Sequence, residues 1–125
     1  MGIKIRTKGS FKKTEVFLER TKKFDPIPIF QRYGEIGVDK LSAATPVDTG
    51  LTASSWYYTI EKSKNGYILK WNNSNIERGL SIAILIQYGH ATTGGTYVQG
   101  VDYINPALRD IFNELSIQLW REVSR

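Results

Sequence analysis

Ser54-Ser55-Trp56-Tyr57-Tyr58-Thr59-Ile60-Glu61-Lys62, then Ser63-Lys64-Asn65-Gly66, then Tyr67-Ile68-Leu69-Lys70-Trp71, reads as two strands joined by a tight turn. Aromatic, Thr and Ile residues suit a pleated, half-buried surface. Asn65-Gly66 is the strongest hairpin signal in the chain, because a type I′ turn needs positive φ at both central positions. A two-residue loop there predicts Glu61 opposite Lys70 and Ile60 opposite Trp71, both sensible cross-strand pairs. Alternation sends Trp56, Tyr58 and Ile60 to one face, and Tyr57, Thr59 and Glu61 to the other.

Upstream of this hairpin, residues 45–53 read as a loop and residues 29–44 as a helix. Phe30, Tyr33, Gly37, Leu41 and Ala44 recur at helical spacing and form one face. Gly34 and Gly37 each cost about 1 kcal/mol against alanine, which suggests close approach by another backbone. Pro46 stops the helix. Further upstream, Ile3 and Ile5 alternate with Lys4 and Arg6 in a short strand ended by Gly9. Residues 11–24 read as a helix with Phe11, Leu18 and Thr21 on one side. Asp25-Pro26-Ile27-Pro28 breaks it.

Downstream, Asn72 to Gly79 reads as a long polar loop. Leu80 to Tyr88, apolar on both faces, is the expected central strand. Residues 89–103 form a Gly- and Thr-rich loop. Asn105-Pro106 then starts a helix, with Asn as N-cap and Pro at the first helical position. Leu108, Ile111, Phe112, Leu115 and Leu119 make its apolar face. Asp110 and Glu114 lie early in it, and Arg121 and Arg125 late, as the helix dipole favours. The expected fold is α+β: a small antiparallel sheet of three to four strands, with N-terminal helices and a C-terminal helix packed on one face. One domain spans residues 1–125, with a basic segment at 1–25 and long loops at 72–79 and 89–103.

Composition supports a folded chain. The 125 residues are 41% hydrophobic and 23% charged, too apolar for disorder. There is no cysteine, which excludes disulfides and thiolate metal sites, and a single histidine, which excludes a multi-histidine metal site. No metal and no cofactor are expected. The net charge is +5, and it is polarised. Residues 1–24 hold eight basic and two acidic residues, while the remainder holds nine basic and ten acidic. Such a basic segment suits an oligomeric interface or a nucleic-acid-facing edge. Its first half carries Lys4, Arg6, Lys8, Lys12 and Lys13, the expected contacts to DNA or to an acidic partner. The longest apolar run, Ile82 to Ile86, is far shorter than the roughly 20 residues of a membrane span. No secretory signal is expected either, because Met1 to Arg6 has no apolar run behind it.

Three constellations bear on chemistry. Asp48-Thr49-Gly50 matches the triplet of dimeric aspartic proteases, in which two chains supply two aspartates sharing a proton. Those enzymes place it after an apolar strand and before Ala or Ser. Here Thr45-Pro46-Val47 precedes it and Leu51 follows, so the expected role is a tight turn in which Gly50 supplies an unusual φ. His90 follows Tyr88-Gly89 without a designated nucleophile or carboxylate, and is expected as a loop or interface histidine. Trp56, Tyr57, Tyr58, Tyr67 and Trp71 cluster on the hairpin. Aromatic strands can stack single-stranded bases. A nucleic-acid-binding module using this hairpin and the basic N-terminus is therefore the alternative function. Few basic residues are interleaved there, which favours a core-and-interface role.

Thr45-Pro46-Val47-Asp48-Thr49-Gly50, with Leu51 and Ser54-Ser55-Trp56, resembles the first signature of a phage protein family: the head–tail joining or tail-completion proteins of long-tailed phages and prophages. A strand ending in Tyr/Phe-Gly is matched by Ile86-Gln87-Tyr88-Gly89-His90. A Gly-rich loop leading to a Pro-Ala-Leu helix start is matched by Gly94 to Gly100 and Asp102 to Leu108. The three occur in order over residues 29–125, which is what gives short motifs meaning. Leu51 follows Gly50 directly, where family members usually place a variable residue between them. The resemblance implies a non-enzymatic virion protein of the neck, made in the host cytoplasm. It implies assembly as a ring, sixfold with a twelvefold ring as the alternative. The implied partners are a connector or stopper, a tail terminator or tail tube, and channel DNA. Asp48, Thr49, Gly50, Tyr88, Gly89, His90, Asn105 and Pro106 are then expected to shape the subunit, while the loops they anchor make the contacts.

Overall fold

In the computed structural model, residues 5–9, 14–19, 24–46, 50–91 and 94–124 are described. Two N-terminal strands, β1 (Ile5–Gly9) and β2 (Thr14–Glu19), lead to the helix α1 (Ile27–Ala44). After a single 3-10 turn at Ala53–Ser55 come β3 (Trp56–Lys62) and β4 (Gly66–Asn73). A two-residue-per-strand hairpin, β5 (Ile76–Glu77) and β6 (Leu80–Ser81), runs into the short helix α2 (Ile82–Tyr88). A second small hairpin, β7 (Gly89–Ala91) and β8 (Tyr97–Gln99), precedes α3 (Ile104–Val123). The main sheet has four antiparallel strands in the order β1-β2-β4-β3. The fold is α+β, as expected.

The sheet carries its apolar residues on one face. Val16 and Leu18 of β2 stand opposite Leu69 and Tyr67 of β4, and Trp71 completes the row. Against this face pack Phe30, Tyr33 and Leu41 of α1 and Leu108, Ile111, Leu115 and Leu119 of α3, all buried. Burying each such aliphatic side chain contributes about 1.5–3 kcal/mol. Gly34 and Gly37 are what allow α1 this close. A Cβ on Gly34 would lie 2.5 Å from the Tyr58 ring, and one on Gly37 would overlap the Trp71 indole. The Trp71 Nε1–H in turn donates to the Gly34 carbonyl at 2.9 Å, so the close approach is hydrogen-bonded as well as packed. Ala44, expected on the buried face, is exposed; the helix ends there and the next residue, Thr45, is the one buried.

Four expectations are corrected. First, residues 14–19 form a strand, and the helix expected over 11–24 is absent from the described part of that segment. Val16 and Leu18, two apart, are both buried, so a period of two overrides the helical spacing. Pro26 and Pro28, expected as breakers, instead open α1, where their missing N–H groups are no loss; Asp25 Oδ1 accepts from the Ile27 N–H at 3.0 Å. Second, Leu80 to Tyr88 is mostly helix, not a central strand. Ala83 and Gln87, one helical turn apart, are its buried residues. A short apolar run fits either element by periodicity alone. Third, the loop expected at 89–103 contains a small hairpin, and that at 72–79 holds the end of β4 (Asn72, Asn73) and the strand β5, which pairs with Leu80–Ser81 just beyond it.

Fourth, the β3–β4 register is displaced. Ile60 faces Leu69, Tyr58 faces Trp71, and Thr59 faces Lys70. The loop residues are Lys64 and Asn65, and the Ser63 N–H donates to the Gly66 carbonyl at 2.9 Å. Positive φ among the described residues is confined to Arg78, Gly50, Gly79, Gly89 and Gly95, so the Asn65-Gly66 turn is not type I′. A displacement of two residues preserves every side chain's face. The faces expected for Trp56, Tyr58 and Ile60 are therefore correct although the pairing is not. Glu61 and Lys70 still meet at 2.9 Å, as a diagonal pair.

Candidate functional site

Beyond the free end of β3 and β4 the chain builds a groove of about 790 Å³. Its walls are Pro46 and residues 50–53, the β5–β6 hairpin, α2, and the β7–β8 hairpin with the segment that follows. The first wall is held by side chains rather than by strand pairing. Thr45 Oγ1 donates to the Leu41 carbonyl at 2.6 Å and accepts from Trp56 Nε1 at 2.9 Å. The residue before Pro46 is thereby fixed in the extended conformation that a proline requires of its predecessor. Asn73 Nδ2 donates to the Thr52 carbonyl at 2.8 Å, and Asn75 Nδ2 donates to Thr52 Oγ1 at 2.9 Å. Two asparagines thus tie Thr52 and its neighbours to the end of β4 and the start of β5.

The opposite wall is organised by Gln87. This side chain is buried and its polar atoms are all engaged. Oε1 accepts from the Tyr103 and Ile104 N–H groups at 2.9 and 2.8 Å, and Nε2 donates to Asp102 Oδ1 at 2.7 Å. A helix start leaves its first N–H groups without intrahelical partners. Here a residue from α2 supplies the acceptor for α3. Tyr103 OH donates to the Ala83 carbonyl at 2.7 Å, and its ring meets Trp56 edge-on. Burial pushes the Tyr103 phenol pKa well above its ordinary value. One aromatic pair, Trp56 and Tyr103, thus joins the two walls at the core.

The expected site residues divide. Gly50 and His90 both line the groove. Gly50 has φ +80, the unusual conformation expected of it. Asp48 and Thr49 lie outside the described residues. Tyr88 ends α2 rather than a strand, and Gly89 (φ +82) makes the turn into β7. A Cβ on Gly89 would meet the Val98 carbonyl at 2.5 Å, so the β7–β8 hairpin closes directly over it. His90 Nδ1 is buried with no hydrogen-bond partner among the described residues. Asn105 is not the N-cap of α3. It lies inside the helix, and its Nδ2 donates to Asp102 Oδ1 at 3.0 Å. Pro106 sits in the first turn, where its missing N–H is again no loss. Arg6 and Lys8 lie on the edge strand β1, with Arg6 in register with Phe17 and Lys8 with Glu15. Lys4, Lys12 and Lys13 lie outside the described residues.

What sequence reasoning missed is the joining role of Gln87, Asn73 and Asn75. For Gln87 a signal exists: it is the first polar residue after an apolar run and lies one helical turn from Ala83. Also missed is the exposure of the groove's apolar rim. Leu51, Val98 and Val101, which line it, are between 46% and 53% exposed, and Ile76 and Leu80 on the adjoining β5–β6 hairpin are exposed as well. Among the described residues no group of three His, Cys, Asp or Glu could hold a metal ion, and no helix is long and apolar enough to cross a membrane. Comparison with protein-family models, with curated proteins and with solved structures gives no match.

Proposed function

We propose that this chain is a structural protein of the phage neck, which completes the tail and joins it to the head by forming a ring. The observation that carries the reading is the apolar rim of the groove. Three large apolar side chains that line it, Leu51, Val98 and Val101, are about half exposed to water, and Ile76 and Leu80 are exposed on the hairpin that forms one of its walls. Exposed apolar side chains gathered around a concave site mark protein interaction surfaces. The resemblance supplies the particular assembly. Its three motifs are separate in sequence, and in the fold Pro46, Gly50 and Leu51 from the first, His90 from the second and Val98 and Gln99 from the third line the same groove. If the groove takes a different surface of the next copy, the contact is head-to-tail, and it closes into a ring where its rotation allows.

The experiment is deletion of the gene in a phage or lysogen that encodes it, followed by electron microscopy. The expected result is DNA-filled heads and separate tails, which join when the purified protein is added. Normally joined virions without the protein would overturn the proposal.

A further inference from the structure

A head-to-tail ring needs a second, different surface to fill the groove, and α3 carries one. Ile117 and Trp120 are 59% and 50% exposed, although the opposite face of the same helix is fully buried in the core. They lie three residues apart, on one ridge of the helix. This ridge is remote from the groove. The start of α3 is bonded to the groove wall through Gln87. Trp120 lies sixteen residues further along, about 24 Å at the rise of an α-helix. The two apolar features therefore cannot cover each other within one subunit.

We infer that the Ile117–Trp120 ridge of one subunit seats in the groove of the next. The shapes are complementary: one is concave with a volume of about 790 Å³, the other convex and led by a tryptophan. Trp and Arg are the residues that most often anchor protein interfaces, in desolvated pockets of this kind. The charges are complementary too. Glu77 lines the groove, with Arg78 exposed beside it. Arg121 and Glu114, both exposed, flank Ile117 and Trp120 on the ridge. Among the described residues none of these four has a salt-bridge partner. The proposed contact sets Arg121 against Glu77 and Glu114 against Arg78, so that each charge meets its opposite. The occupant is a second copy of this chain. This contact deepens the ring reading and rests on it.

Sedimentation velocity across a concentration series tests the contact with the full chain. Trp120→Glu disables the ridge, and Val98→Asp or Leu51→Asp disables the groove. Each is expected to weaken self-association about tenfold or more, with circular dichroism and the denaturation midpoint unchanged. A mixture of Trp120→Glu and Val98→Asp chains retains one working contact and is expected to stop at a one-to-one dimer. Glu77→Arg should weaken assembly, and adding Arg121→Glu should restore it. Trp120→Glu chains that assemble like the wild type, or a mixture that stays monomeric, would overturn the contact while leaving the ring reading standing. Wild-type chains that remain monomeric throughout would overturn both.

Discussion

The four-stranded sheet and the groove end of the molecule put their apolar side chains in opposite places. In the sheet, Val16, Leu18, Leu69 and Trp71 are buried against α1 and α3, and the strands pair over five to seven residues. At the groove, β5 and β6 pair over two residues, β7 and β8 over three, and Leu51, Ile76, Leu80 and Val98 face water. Short hairpins with exposed apolar faces are marginal alone. Here the segments that flank them are held by side-chain hydrogen bonds from Gln87, Asn73 and Asn75, and the Tyr97 hydroxyl of β8 donates to the Tyr88 carbonyl. Apolar side chains inside the sheet stabilise the subunit, and those outside it at the groove are the ones the proposed contact between subunits would bury. Substitutions in the first region should therefore unfold the chain, and those in the second should leave it folded and unassembled.

The sharpest break of this contrast comes from Trp71. Trp71→Ala empties the space between sheet, α1 and α3 and removes the bond to Gly34. It should cost about 3–5 kcal/mol in a urea denaturation series. Gln87→Leu probes the boundary between the two regions. It leaves the Tyr103 and Ile104 N–H groups without their acceptor, and a loss of about 1–3 kcal/mol is expected. Hydrogen exchange should then rise at the start of α3. Gly37→Ala forces a methyl group into the Trp71 indole, and overpacking of this kind costs about 1–3 kcal/mol. The lower end applies, because alanine recovers about 1 kcal/mol of helix propensity.

The pH dependence follows from Tyr103. Its raised pKa keeps the phenol protonated in the folded chain, while the unfolded chain ionises it near its ordinary value of about 10. The corresponding stability is full below about pH 10 and is lost as the pH rises above it. Tyr103→Phe should flatten that alkaline loss in thermal melts between neutral and high pH. The smallest effect on stability is expected at the groove rim. Val98→Asp should change the unfolding free energy by no more than about 0.5 kcal/mol. A large destabilisation there would erase the contrast between the two regions.

Much of the sheet region was legible in the sequence. The α1 face through Phe30, Tyr33 and Leu41, the α3 face through Leu108 to Leu119, and the inward set Trp56, Tyr58 and Ile60 follow from periodicity, and the structure has them. The register was not legible, because a shift of two leaves each face intact and only local turn geometry decides it. Residues 14–19 and 80–88 were misread because each is too short for one period to exclude the other. At the groove, the sequence marked Gly50 and His90, which do line it. It could not mark Gln87 as the acceptor for α3, since that bond joins residues sixteen and seventeen positions apart. Nor could it show which apolar side chains remain outside, because exposure is a property of the packed whole.

The most direct measurement is complementation of the gene deletion with the Val98→Asp chain, scored by electron microscopy. The account predicts a soluble, folded protein and a field of filled heads and unattached tails, as in the deletion itself. Joined, infectious particles in wild-type numbers would contradict it.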